Sequence, residues 1–238
     1  MTSPDSKTVA LPADLAAAEQ SMFTALSSAL KSGDGTRWSA ALRFENLRIL
    51  PVALRLSRAL IALDPTLCVL WPDAGAAALA RRDASDLSDC ILDFRQWMQR
   101  VADQPTDGLL LVVLPQPADY EDFEQVCAKH AGAIVMLNGR LEDAAVGIGS
   151  VARERRRGFV ASWRQAFWVE PIDGGALMRC YPDGWRLYRS DPDGYRQIAV
   201  FEQRPGAEEI AETLSGDGPD SLKQQLSSVD RFLDGLRN

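Results

Sequence analysis

Asn138-Gly139-Arg140-Leu141-Glu142-Asp143 sets an amide, a guanidinium and two carboxylates close together, directly behind the apolar run Ala133–Leu137. Amides and guanidinium groups hold carboxylates or phosphates through paired hydrogen bonds, and carboxylates hold cations or a partner's arginines. Gly147-Ile148-Gly149-Ser150 follows, and Ser150 has the side chain of a helix N-cap. Residues 151–164 then carry five arginines against one acid, Glu154. On a helix, Ala152, Phe159, Val160, Trp163 and Phe167 would share one face, with Arg153, Arg157 and Arg164 opposite and solvated. Arg156 falls inside the apolar stripe, where a lone charge is costly, so it is expected to pair with Glu142 or Asp143 or to face a cleft. The candidate binding face is therefore Asn138, Arg140, Glu142, Asp143, Gly147, Gly149, Arg153, Arg155 and Arg156. For Asn138-Gly139 a purely geometric turn is the competing reading, and for Arg156 a structural clasp is.

A second candidate is the turn Asp73-Ala74-Gly75-Ala76, which follows an apolar run and opens a helical pattern. Free N–H groups at such a helix start can hold an anion, which makes Asp73 and Gly75 a possible anion turn. It lacks the Gly-Lys-Ser/Thr of a P-loop and the spacing of a dinucleotide fingerprint. A tight turn that packs closely is the alternative. Little else suggests chemistry. His130, the single histidine, stands before Gly132 near a helix C-terminus, where a cation is favoured. No serine lies in a nucleophile elbow. The four cysteines at 68, 90, 127 and 180 have no zinc spacing and read as buried, reduced thiols, which favours a reducing compartment. No catalytic residue, metal or cofactor is implied.

Two kinds of element must position these groups. Up to residue 165 apolar strands alternate with helices. Trp38–Phe44, Leu67–Trp71, Leu109–Leu114 and Ala133–Leu137 read as strands of one mainly parallel sheet. A first helix is expected from near Pro12, with Leu15, Met22, Leu26 and Ala29 on its buried face, and a second around Pro51, burying Val52, Leu56, Ala59, Leu60 and Leu63. Ala76–Arg82 reads as helix. Leu87, Ile91, Phe94, Met98 and Val101 step by four and three and predict another. Asp119 should cap a helix carrying Phe123, Val126 and Cys127, with Asp122 reaching back. Asn138 and Arg140 then lie past a strand's carboxyl end, where open α/β sheets bind ligands. From residue 166 the pattern changes. Phe167–Ile172, Ala176–Tyr181, Trp185–Ser190 and Tyr195–Gln203 are strand-like and separated by Asp/Gly/Pro turns, a β-meander over 166–204. Closing helices occupy 205–238, the last marked by Leu222, Leu226, Val229, Leu233 and Leu236. The expected organisation is a flexible tail over 1–10 and one α/β domain over 11–238, a Rossmann-like sheet followed by an antiparallel meander.

The totals fit that reading. A chain of 238 residues, 46% hydrophobic and 25% charged, can bury a full core without disulfides or metals. A net charge of −7 and a pI of about 4.9 argue against nucleic acid or an anionic membrane as a nonspecific partner. The amino terminus lacks the apolar segment of a signal peptide, and no apolar run approaches a membrane span. A membrane role, if there is one, is expected to be peripheral.

WPDAGAAALARRD (71–83), LNGRLED (137–143), GIGSVARERRRGFVASW (147–163) and PIDGGALMRCYPDGW (171–185) resemble, in order, a family of cyanobacterial and chloroplast proteins. That family carries a domain of unknown function and includes the plant low-photosystem-II-accumulation factors, which help assemble the photosystem II core. The resemblance spans roughly residues 11–215. It implies an auxiliary factor that binds photosystem assembly intermediates or a membrane insertase, cytoplasmic or peripheral to thylakoid membranes. The family pattern reads Asn-Pro-Arg-Leu-Glu-Asp where this chain has Gly139, so the turn here should be more flexible. Arg140, Glu142, Asp143, Gly147 and Gly149 match. The resemblance carries over no catalytic residue. The alternatives are an anion- or nucleotide-binding α/β enzyme using Arg140, Arg156 and the helix starts, or a regulatory module. Related domains are appended to chloroplast adenylate kinases, but this chain has no P-loop.

Overall fold

The computed structural model describes residues 9–102, 106–145 and 150–216. Pro12–Val169 with Arg179–Asp183 form one compact unit, and among the described residues Glu170–Met178 with 184–216 belong to a second. In the first, helices α1 (Leu15–Ser32), α2 (Ile49–Ile61), α3 (Ala74–Asp83), α4 (Phe94–Arg100), α5 (Tyr120–Lys129) and α6 (Ser150–Arg157) accompany strands β1 (Arg37–Leu42), β2 (Cys68–Trp71), β3 (Ile91–Asp93), β4 (Leu109–Val113), β5 (Ala133–Leu137) and the start of β6 (Arg164–Ile172). The strand order is β3-β2-β4-β5-β1-β6. Every pairing along it is parallel, with Ala40 opposite Leu137 in β5 and Phe167 in β6. β6 therefore starts earlier than its sequence pattern suggests and closes the parallel set before entering the meander.

The central strands are buried on both faces, and Leu109–Val113 is buried throughout. That burial is what a continuous apolar run implies. One side of the sheet packs Leu70, Leu110, Val112, Ile134 and Met136 against Phe94, Trp97, Phe123 and Phe159. Phe123 stacks on Phe94 at 5.8 Å and meets Phe159 edge-on at 5.5 Å. Each such side chain stabilises the fold by about 1.5–3 kcal/mol through burial.

Local chemistry fixes the helix ends. The Asp14 carboxylate accepts from Ala17 N at 2.8 Å, so α1 begins at Leu15 and not near Pro12. Gly33, at φ 71°, ends it. Leu63, expected on the buried face of α2, lies past its end and is exposed. The helix predicted across Leu87–Val101 is instead a 3-10 turn (Ser85–Cys90), the short strand β3, and α4. Asp93 breaks the run. Its side chain accepts from Gln96 N while Gln96 Oε1 accepts from Asp93 N, a capping box that starts a new helix. Asp119 likewise turns away from α5. Its carboxylate accepts from Gln116 N at 2.8 Å, and α5 has no side-chain cap.

The second unit continues β6 through β7 (Gly175–Cys180), β8 (Trp185–Asp191) and β9 (Gly194–Phe201), in the order β6-β7-β8-β9. β8 and β9 pair antiparallel from Trp185↔Phe201 to Asp191↔Gly194, with an irregularity between Leu187 and Tyr188. The Asp/Gly turns make this a meander, as the sequence implies. Arg204 pairs with Glu170 at 3.1 Å and lies over the Trp185 ring at 5.6 Å. Helix α7 (Ala207–Ser215) follows, and the second closing helix expected around Leu222–Leu236 lies outside the described residues. No described helix is long and apolar enough to cross a membrane.

Candidate functional site

The carboxyl end of the parallel sheet is where the sequence places its candidates, and there the strand ends are stitched together. Leu114 N donates to Leu137 O at 2.8 Å and Asn138 N to Ala40 O at 2.8 Å, continuing the β4–β5 and β5–β1 ladders past their last residues. Asn138, at φ 52° and buried, turns its amide onto Leu42. Leu42 N donates to Asn138 Oδ1 at 2.7 Å, and Asn138 Nδ2 donates to Leu42 O at 2.9 Å. Arg43 Nη2 donates to Gly139 O at 2.7 Å, its guanidinium lies over Trp168 at 4.7 Å, and its N–H donates to Val169 O. Arg140 N reaches Pro115 O at 3.0 Å. Asn138 thus spends both ends of its amide on the fold. A Cβ at Gly139 would come 2.4 Å from Met136 Sδ and 3.0 Å from Pro115 Cγ, so a larger residue there requires the Met136 side chain to move.

Charged groups stand around this sealed rim. Arg140, Glu142 and Asp143 are exposed, the last two on a 3-10 turn (Leu141–Ala145), and Arg153 is exposed on α6. Glu142 and Asp143, the partners expected for Arg156, are therefore exposed carboxylates. The Arg156 side chain, and Gly147 and Gly149, lie outside the described residues. Arg155 is half-buried and engaged with α5, 3.3 Å from Glu121 and 4.4 Å over the Tyr120 ring. α6 ends at Arg157, so the apolar face expected to run on to Phe167 is shared among a helix, a 3-10 turn (Val160–Ser162) and β6. Arg164 is exposed, as expected, and also donates to the Asp34 carbonyl and lies over Trp38 at 5.2 Å.

The anion reading of Asp73 and Gly75 is not supported. Asp73 Oδ1 itself accepts from Gly75 N at 2.8 Å and Ala76 N at 3.1 Å, so the helix start meets its own carboxylate.

The amino end of the sheet holds a further group of side chains able to do chemistry. A cavity of about 480 Å³ there is lined by Cys68, Cys90, Trp97, Arg100, Asp107 and His130, among others. His130 ends α5 as expected but is not a helix-end cation. Burial lowers its pKa. Thr106 Oγ1 lies 3.0 Å from Nδ1 and Gly108 O 3.2 Å from Nε2. The neutral ring with its proton on Nε2 satisfies both. The cysteines are all free. Cys127 is buried and the other three are half-buried. Among the described residues, no three His, Cys, Asp or Glu side chains gather as metal ligands.

A family model described as Domain of unknown function (DUF1995) matches residues 12–212. The chain belongs to the DUF1995 family. No curated protein and no solved structure matches it. The match runs from just before α1 into α7, so this DUF1995 chain keeps the parallel sheet and the meander within one family unit.

In this DUF1995 domain the sequence reading missed Arg43. It is the first residue beyond β1, the same strand-end signal that singled out Asn138, but it carries no motif around it. Asp93 was missed with its strand. Buried at the end of β3, it is spent on the capping box.

Proposed function

We propose that this protein works by binding and not by turnover, as an auxiliary factor in photosystem II assembly, cytoplasmic or peripheral to the thylakoid membrane. The observation that carries the binding reading is the sealed rim. The amide of Asn138, the turn donors after Asp73 and the guanidinium of Arg43 are all committed to the fold, while Arg140, Glu142, Asp143 and Arg153 project from it. Such a mixed-charge strip suits recognition of a protein surface, with arginine forks gripping a partner's carboxylates despite the net negative chain. The photosynthetic setting rests on the family resemblance of LNGRLED and the arginine-rich segment that follows. The partners it suggests are photosystem assembly intermediates or a membrane insertase.

The test is a pull-down from solubilised thylakoids with wild type and an Arg140→Ala/Arg153→Ala double variant. Exposed substitutions should leave stability within about 0.5 kcal/mol. Recovery of photosystem II intermediates should fall several-fold, and wild-type recovery should fall with added salt. Unchanged recovery in the double variant would overturn the face. Stoichiometric ATP binding with hydrolysis would favour an enzyme.

A further inference from the structure

β2 and β3 run parallel in register, with Val69 opposite Ile91 and Leu70 opposite Leu92. The residues immediately before these paired positions are Cys68 and Cys90. Adjacent strands lie about 4.8 Å apart. Cys68 opens β2 and Cys90 closes the 3-10 turn (Ser85–Cys90) that leads into β3, so the two cysteines stand side by side where the paired strands begin, the placement a disulfide between neighbouring segments needs. Cys68 and Leu92 both pack against the same core cluster, which places Cys68 on the Leu70/Leu92 face of the sheet. Both thiols are half-buried, both line the cavity at the amino end, and Arg100 lines it with them. Cys90 Sγ donates to Leu87 O at 3.1 Å.

We infer that Cys68 and Cys90 form a reversible dithiol–disulfide couple that exchanges with a small disulfide such as glutathione disulfide. Burial raises both thiols, Cys68 to about 12 with Arg100 opposing the rise. The Cys90 thiolate attacks one sulfur of glutathione disulfide, breaking its S–S bond and releasing one glutathione thiolate. Cys68 then loses its proton and attacks the Cys90 sulfur of the mixed disulfide, releasing the second. Two electrons pass from the cysteines to glutathione, and the two thiol protons end on the two glutathione molecules. The new bond ties the three-residue edge strand β3 to β2 and closes a loop around α3. In the loop-entropy account, closing a loop of about 20 residues shifts the folding equilibrium on the order of a hundredfold toward the native state.

The experiment equilibrates the full chain in a series of reduced and oxidised glutathione ratios, traps remaining thiols by alkylation, and maps linked peptides by mass spectrometry. The expected result is a monomer that loses two thiols at a single midpoint, yields a Cys68–Cys90 linked peptide, and leaves Cys127 and Cys180 alkylated. C68S and C90S should each stop at a glutathione adduct on the remaining cysteine, or stay reduced. The oxidised wild type should unfold at higher denaturant than the reduced form. A folded wild type without the Cys68–Cys90 peptide at any ratio, or one whose oxidation links Cys127 or Cys180 instead, overturns the inference. The wild-type measurement decides even if a serine variant fails to fold.

Discussion

Replacing Asn138 by alanine separates a structural residue from a recognition residue. Asn138 is 7% exposed and Leu42 is 1% exposed, so water does not readily replace the amide. The substitution strands the Leu42 N–H and C=O, each at about 1–3 kcal/mol for a buried group left without its partner. It also puts alanine at φ 52°, which costs about 1 kcal/mol more than glycine would there. Together these predict a loss of about 3–7 kcal/mol for Asn138→Ala and about 2–6 kcal/mol for Asn138→Gly. Asn138→Asp keeps the acceptor for Leu42 N but sets a carboxylate oxygen against Leu42 O, and should be at least as damaging as the glycine. Urea unfolding of all four proteins, read by midpoint with the slope checked for constancy, measures this. If Asn138→Ala unfolds within about 0.5 kcal/mol of wild type at unchanged slope, the amide does not hold the rim and Asn138 returns to the binding face.

Other expectations follow from the same structure. Asp73→Ala removes the cap of α3 and should cost about 1 kcal/mol in the same assay, and wild-type stability should not respond to added phosphate. Gly132→Ala places a Cβ 2.1 Å from Gly108 O and 2.6 Å from Gly108 N, a clash with backbone that no side chain can relieve. It should cost about 3 kcal/mol or more in urea melts. His130 has a folded pKa below its ordinary value of 6.5 because it is buried. The unfolded chain therefore takes up the proton first, and the stability the neutral ring contributes is complete above pH 6.5. It is lost as the pH falls through the folded value. Melting temperatures from pH 8 to 5 should fall less steeply for His130→Gln than for wild type, and parallel curves would refute the assignment.

The sequence makes the strands β4 and β5 plain, because a strand covered on both faces must be apolar throughout and Leu109–Val113 is. It conceals β3. Leu87, Ile91, Phe94 and Val101 are buried at the spacing of a helix, yet a 3-10 turn, a strand and a helix deliver them to the core in turn. Periodicity reports which residues are buried, and the backbone that buries them is decided by the Asp93–Gln96 capping box. At the carboxyl end the polar cluster is legible, but its use is not. Asn138 and Asp73 carry groups able to hold a ligand, and each bonds backbone instead, Leu42 in one case and its own helix start in the other. The signal for Asp73 was present, since aspartate two residues before glycine at a helix start is an N-cap. No local pattern announces that Leu42 will lie beside Asn138.

The place of β1 has a consequence for synthesis. It is the first strand to leave the ribosome, yet its two neighbours are the fifth and sixth, and Ser39 meets Arg164 across 125 residues. At about 5–20 residues per second, the middle of the sheet waits roughly 6–25 s for its far side. β2, β3 and β4 pair among themselves and can assemble sooner. Until β5 emerges, for most of that interval, the apolar stretch of β1, with Trp38, has no strand to pair with. A nascent chain of this protein therefore carries unpaired apolar strand surface, the kind that holding chaperones cover, until its later strands are made.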